Sequence, residues 1–322
     1  MRMLTTLDAA ATVVYSAMAA TPQQRWPLLD ARCGAAVWVK HENQTPIGAF
    51  KVRGGLVYFE HLLRATPRVQ GVVAATRGNH GQSVAFAASR YSIPAAVVVP
   101  HGNAIGKNRA IQAFGAELIE DGRDFQAALE AAAAVASDRG WHLVPSFDTQ
   151  LVHGVASYAL ELLRKVPGLD DLYVPIGLGS GICGAIAARD ALGLSTRIVG
   201  VVASAAPAYA RSLELGRAVS CDATTRIADG MACRTPVAEA LSIITRGAER
   251  IVEVTDDEIE EAMRVIFADT RNVTEGAGAA GVAAVLKDRE RLRGRTAGVV
   301  LSGANVDPVP FGRVLLTETG VR

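Results

Sequence analysis

Short runs of small and β-branched apolar residues punctuate this chain, and between them lie longer stretches whose apolar positions recur every three or four residues. Runs such as Ala95-Ala96-Val97-Val98-Val99 predict strands at 36–40, 71–75, 95–99, 117–120, 171–176, 197–202 and 297–301. The helical period predicts helices at 54–63, 81–91, 106–114, 124–139, 155–163, 182–191, 256–270 and 279–290, with residues 141–144 closing the first series. An apolar stretch at 9–20 predicts one more helix, stopped at Thr21-Pro22 because the residue before proline is pushed out of helical geometry. Strands alternating with helices are the mark of βαβ units, so the expected class is α/β, with mostly parallel twisted sheets flanked by helices. The middle of the chain holds enough strands for a small sheet of its own. Residues 215–238 are the least regular, and Ile227-Ala228-Asp229-Gly230-Met231 suits a turn entering a site.

Composition narrows the function. Half of the 322 residues are apolar but only 5% are aromatic, as in helices packed closely on a parallel sheet. The formal charge of +1 and the lack of a Lys/Arg cluster provide no field for nucleic acid or an anionic membrane, so a small molecule is the expected partner. Cys33, Cys183, Cys221 and Cys233 have neither CxxC nor zinc-ligand spacing and read as free thiols in a reducing cytoplasm. Ala17-Met18-Ala19 matches a leader cleavage pattern, but only Arg2 is basic ahead of it and Asp8 interrupts, so a secretory leader is not expected.

The candidate chemistry centres on Lys51, in Gly48-Ala49-Phe50-Lys51-Val52-Arg53-Gly54-Gly55. A lysine in a dry setting loses its proton more readily and becomes a nucleophile able to hold a carbonyl cofactor covalently. Between a predicted strand and helix, Gly177-Leu178-Gly179-Ser180-Gly181 presents backbone amides and a helix N-terminus, a natural anion site. Residues 179–184 also form a G-x-G-x-x-G, so a dinucleotide-binding oxidoreductase is the rival reading. That site needs a carboxylate about twenty residues on, and Gly200-Val201-Val202-Ala203-Ser204 has none.

With Thr76-Arg77-Gly78-Asn79-His80-Gly81 and Ser302-Gly303-Ala304-Asn305 added, the order and spacing of the segments resemble the fold-type II enzymes that use pyridoxal 5'-phosphate, in particular the serine and threonine dehydratases. The resemblance runs from about residue 20 to residue 310. It implies a tryptophan synthase β-like fold of two domains, here residues 1–64 plus 148–322 as the large cofactor-binding domain and 65–147 as a small inserted one. It also implies a lyase that turns a 3-hydroxy amino acid into a 2-keto acid and ammonia. β-Replacement on the same intermediate is the alternative chemistry, and a non-catalytic cofactor-binding scaffold the alternative from another class. A homodimer stays open.

By the same resemblance, Lys51 carries the cofactor, Phe50 lies against its ring, Asn79 meets its phenolic oxygen and Ser302 faces the pyridine nitrogen. Gly177, Leu178, Gly179, Ser180 and Gly181 hold the phosphate, with Leu178 and Ser180 where relatives have glycine. Thr76, Arg77, Gly78 and His80 form the substrate segment, and Gly78 to His80 offer amides to the substrate carboxylate. Arg77 stands where serine racemases carry a serine base, and an arginine cannot take a proton there, so racemisation is not expected. It either pairs with a carboxylate or solvent, or faces the substrate, where it selects a polar or anionic side chain or lies over an aromatic one. His153, in place of the usual alanine, is a further candidate for reaching the site. Val202 and Ala208 occupy the positions of the divalent-cation ligands of some relatives and cannot ligate, so no metal is expected. Ile47 and Ala49 replace the usual hydroxyl residues, which shifts the expected substrate away from threonine. The Pro-Ile-Gly-Ala-Phe-Lys and Thr-Arg-Gly-Asn-His-Gly pairing looks most like the dehydratases assigned to hydroxyectoine use, and a phenylserine or hydroxyaspartate is equally open.

Overall fold

Alternate residues along each buried strand face opposite ways, and here both faces are covered. The computed structural model describes residues 2–317. Residue 1 and residues 318–322, the outer ends of the larger expected domain, lie outside the described residues. The strands are β1 (Gln23–Arg25), β2 (Ala36–Lys40), β3 (Val72–Ala75), β4 (Ala95–Val99), β5 (Glu117–Glu120), β6 (His142–Leu143), β7 (Asp171–Pro175), β8 (Arg197–Ala203), β9 (Arg250–Val254) and β10 (Thr296–Val300). The helices are α1 (Arg2–Tyr15), α2 (Pro27–Cys33), α3 (Lys51–Ala65), α4 (Asn79–Arg90), α5 (Ile105–Ala113), α6 (Phe125–Arg139), α7 (Thr149–Lys165), α8 (Ser180–Ala191), α9 (Ala208–Leu215), α10 (Ala238–Gly247), α11 (Asp256–Thr270), α12 (Gly276–Lys287) and α13 (Pro308–Leu316).

The strands make two sheets. One has six strands in the order β1-β2-β10-β7-β8-β9, parallel apart from β1, and the other has four parallel strands in the order β5-β4-β3-β6. In the smaller sheet Val72 and Ala74 pack with Val84, Ala87 and Ala88 of α4, while Val73 and Ala75 pack with Ala128, Ala132 and Ala136 of α6. The α6 contacts fall every four residues, so a single alanine stripe lets that helix approach closely. In the larger sheet, α11 and α12 cover one face through Ile259, Met263 and Val282, and α7 and α8 cover the other through Leu160, Leu163 and Ile182. Double coverage is why the strands read as continuous apolar runs. Among the described residues, no helix is long and apolar enough to cross a membrane.

The strands at 36–40, 95–99 and 117–120 and the helix at 256–270 lie where the pattern places them. The starts of α3, α4, α7, α8 and α12 differ, each lying two to six residues earlier than expected from the pattern. Four of these helices open on glycine-containing turns that propensity reads as loop, and close packing holds them helical. A Cβ on Gly54 would lie 2.8 Å from the Leu151 carbonyl oxygen, and one on Gly55 would lie 2.2 Å from Ser83 Oγ, so α3 is pressed between α7 and α4. The first helix is Arg2–Tyr15 rather than 9–20; its Leu7 and Val14 are fully buried.

Candidate active site

Open parallel sheets gather ligands beyond the carboxyl ends of their strands. Here the segments leaving β2, β3, β7 and β10 in that direction converge on a cavity of about 550 Å³, walled by Phe50, Lys51, Asn79, the 177–181 turn and Ser302. Phe50 N donates to the Ser302 carbonyl at 3.0 Å, fastening the start of α3 to the end of β10. The Phe50 ring meets Tyr158 edge-on, with centroids 6.2 Å apart, and Tyr158 Oη in turn donates to the Gly181 carbonyl at 2.8 Å.

Lys51 is the first residue of α3, and its carbonyl accepts from Ser83 Oγ at 2.7 Å. Its Nζ lies 3.2 Å from Ser180 Oγ and 5.3 Å from the centre of the Phe50 ring. Burial lowers the Lys51 amine from the usual lysine range to about 8, without an opposing carboxylate among the causes. The amine is poised to give up its proton near neutral pH.

The glycine turn follows β7. Gly177 approaches the Gly230 backbone so closely that a Cβ there would lie 2.2 Å from the carbonyl oxygen. Gly179 caps α8 with φ of +102°, a left-handed conformation, and a Cβ there would lie 2.7 Å from that of Ala240. Leu178 keeps a negative φ, and its carbonyl accepts from Tyr209 Oη at 2.9 Å. The first backbone bond into the helix comes from Cys183 N to the Gly179 carbonyl at 3.0 Å, so the Ser180, Gly181 and Ile182 amides have no intrahelical partner. They form an anion site at the cavity wall.

The turn after β3 is built around Thr76, whose Oγ1 accepts from Gly78 N at 2.9 Å and Gly81 N at 3.1 Å. Gly78 has φ of +152°, and a Cβ there would strike Lys107 at 2.3 Å. Asn79 donates from Nδ2 to Glu275 Oε1 at 2.6 Å and accepts at Oδ1 from Asn305 Nδ2 at 2.8 Å. His80 is buried, and that burial, with the Lys51 charge, pushes its imidazole down to about 3; its ring bonds the Pro145 backbone, while Nε2 has no partner among the described residues. Arg77 lines the cavity with its side chain 46% exposed, and its Nη2 lies 3.9 Å from Asp229 Oδ1. Arg77 thus has a carboxylate neighbour and a place in the cavity lining.

His153 does not line the cavity. It lies on α7 beside Gly154, which is the residue pressed against the Arg53 backbone, and a helical residue points about 100° away from its neighbour. Charged residues that the sequence did not single out also line it, among them Lys107 and Glu275, and they are joined there by Asp229. Lys107 Nζ lies 3.4 Å from Glu275 Oε2 and 3.9 Å from Asp229 Oδ2. Asp229 sits in the Ile227–Met231 turn, which does enter the site. A carboxylate directly before the glycine-rich start of α12 was the one signal that could have pointed to Glu275.

The geometry is matched by likeness. A family model described as pyridoxal-phosphate dependent enzyme matches residues 14–303. The L-threonine ammonia-lyase of Geobacter sulfurreducens is 36% identical over 281 residues, covering 86% of this chain and 69% of that one. The L-threo-3-hydroxyaspartate ammonia-lyase of Pseudomonas sp is 32% identical over 288 residues, covering 89% and 90%. The solved T.th. threonine deaminase superposes with a TM-score of 0.88 at 32% identity, covering 94% of this chain and 98% of that one. A buried lysine beside an open helix N-terminus, inside a matched span that leaves out only the two ends, places the chain in the pyridoxal-phosphate dependent enzyme family and overturns the dinucleotide reading.

Proposed function

We propose that this protein is a pyridoxal 5'-phosphate-dependent ammonia-lyase that dehydrates and deaminates a 3-hydroxy amino acid to a 2-keto acid and ammonia. The observation that carries the proposal is Lys51, an amine held near neutrality by burial beside the open N-terminus of α8. The cavity fits the cofactor. Unbonded amides at Ser180 to Ile182 suit a phosphate, Gly177 and Gly179 admit no side chain, and Phe50 lies in the wall beside Lys51. Asn79 and the Ser302 hydroxyl supply the polar contacts for the ring. The relatives named above include lyases of both threonine and 3-hydroxyaspartate.

When bound, the cofactor supplies an electron sink for charge developing at the substrate Cα. The chain does the rest. The Asn79 and His80 backbone amides at the start of α4 bind the substrate carboxylate, while the Gly78 amide is taken by the Thr76 hydroxyl, which holds that turn in shape. Lys51 Nζ, once free, takes the Cα proton, and its lowered proton affinity suits a base working near neutral pH. Ser302 offers a hydroxyl where a carboxylate would fix a proton on the ring nitrogen, and this favours loss of a β-substituent over transamination. Arg77 contributes to choosing the substrate side chain.

The reading also takes 65–147 as an inserted domain within 1–64 plus 148–322, supported by the separate cores of the two sheets. It takes the protein as cytoplasmic, in keeping with four unpaired cysteines, three of them buried. The test is a panel of 3-hydroxy amino acids, with keto acid and ammonia both measured, with and without sulfide. Stoichiometric keto acid and ammonia unaffected by sulfide support the lyase; a thiol amino acid formed at the expense of keto acid replaces it with β-replacement.

A further inference from the structure

We infer that Glu275 is a positioning residue that fixes which way the Asn79 amide faces the cavity. The inference rests on the reading above that Asn79 contacts the cofactor ring. An asparagine amide has a donor end and an acceptor end of nearly the same shape, and only its partners decide between the two orientations. Here the partners decide it. Glu275 presents an oxygen 2.6 Å from Asn79 Nδ2, and an ionised carboxylate can only accept. Asn305 Nδ2 occupies the other side, 2.8 Å from Asn79 Oδ1, and the same nitrogen donates to the Ile47 carbonyl at 2.9 Å. Asn79 is thus left with one N–H to direct at a ligand oxygen.

Glu275 is itself buried, and its Oε2 lacks a hydrogen-bond partner among the described residues. A buried carboxylate in that state needs a compensating charge, and Lys107 Nζ lies 3.4 Å from Oε2. Room is made for the carboxylate by Gly303, where a Cβ would lie 2.5 Å from Glu275 Oε1. Lys107 and Asn79 come from segments around the smaller sheet, and Glu275 and Asn305 from segments around the larger one. The orientation of Asn79 therefore depends on the two halves of the cavity being together. Without Glu275 the Asn79 Nδ2 loses its acceptor, and only the Asn305 contact still opposes a turn that sets the carbonyl against the same ligand oxygen.

The experiment is a double-mutant cycle on N79A and E275A, reading pyridoxal 5'-phosphate affinity of the cofactor-free protein and the visible absorption band of the loaded protein against pH. E275A is expected to weaken affinity about tenfold and to move the band as N79A does, since a hydrogen bond to a charged group is lost. In the N79A background it is expected to add less than about twofold. E275Q, which keeps an acceptor oxygen, is expected to hold the wild-type band. An equal E275A effect in both backgrounds, with N79A itself shifting the band, overturns the inference alone. An N79A protein with wild-type band and affinity overturns both the inference and the reading of Asn79. If E275A does not fold, E275L, which preserves the buried volume, takes its place in the cycle.

Discussion

Lys51 Nζ stands 3.2 Å from Ser180 Oγ, so the amine carried by the first residue of α3 touches the first residue of α8. The α8 N-terminus carries partial positive charge, which disfavours an ammonium in the same direction as burial does. The same place attracts an anion. One contact thus joins an amine of lowered proton affinity to an open helix N-terminus.

The first prediction is a pH dependence. The folded-state value of about 8 lies below the ordinary lysine value of 10.5, so between them the unfolded chain binds more protons than the native one. Stability of the cofactor-free protein should rise with pH across that window as the cost of burying a charge disappears, and Lys51→Met should remove that part of the slope. Urea unfolding at several pH values measures it; identical slopes in both proteins contradict the prediction.

Gly179→Ala should weaken the phosphate site. Its φ of +102° and the 2.7 Å approach of a Cβ to Ala240 together strain any side chain. A loss of about 1–3 kcal/mol in stability is expected, with a clear fall in pyridoxal 5'-phosphate affinity. Thermal unfolding and a binding titration report the two separately.

Arg77→Ala should reorder the 3-hydroxy amino acids by kcat/KM, with substrates bearing a polar or anionic side chain losing most, because the cavity-facing guanidinium lies 3.9 Å from Asp229 rather than in a tight pair. An unchanged ranking across the panel removes Arg77 from substrate choice.

Arg53, two residues beyond Lys51, is fully buried between Glu42 and Glu161, at 2.7 Å and 2.6 Å. Arg53→Ala leaves two buried carboxylates with Lys40 as their one cation among the described ion pairs, and a loss of about 3–5 kcal/mol is expected. Chemical denaturation measures it, and a loss within about 0.5 kcal/mol would contradict the assignment of this cluster as a structural anchor for α3.

The legible part of the protein was the part encoded locally. Strand runs such as Ala95–Val99 carry their burial in their composition, and Phe50-Lys51, Thr76 to Gly81 and the 177–181 turn announce themselves by glycine spacing; the structure brings all three to one cavity. The starts of α8 and α12 lie earlier than the pattern places them because Gly181, Gly276 and Gly278 lower propensity, while the neighbours pressed against Gly276 and Gly278 come from outside the helix. β1, Gln23-Gln24-Arg25, has no apolar signal at all and exists by pairing with β2. Lys107, Asp229 and Glu275 lie in separate segments, and no spacing rule connects partners that meet only across the cavity. His153 shows the converse: a residue type suited to chemistry, on a helix turn that lies outside the cavity lining.

The most direct test of the central claim is the visible absorption spectrum of the purified protein beside its Lys51→Ala variant, each loaded with pyridoxal 5'-phosphate and then treated with borohydride. The account predicts a band in the wild type that borohydride abolishes and that the variant lacks. No such band in the wild type, or an equal band in the variant, would contradict Lys51 as the residue that holds the cofactor.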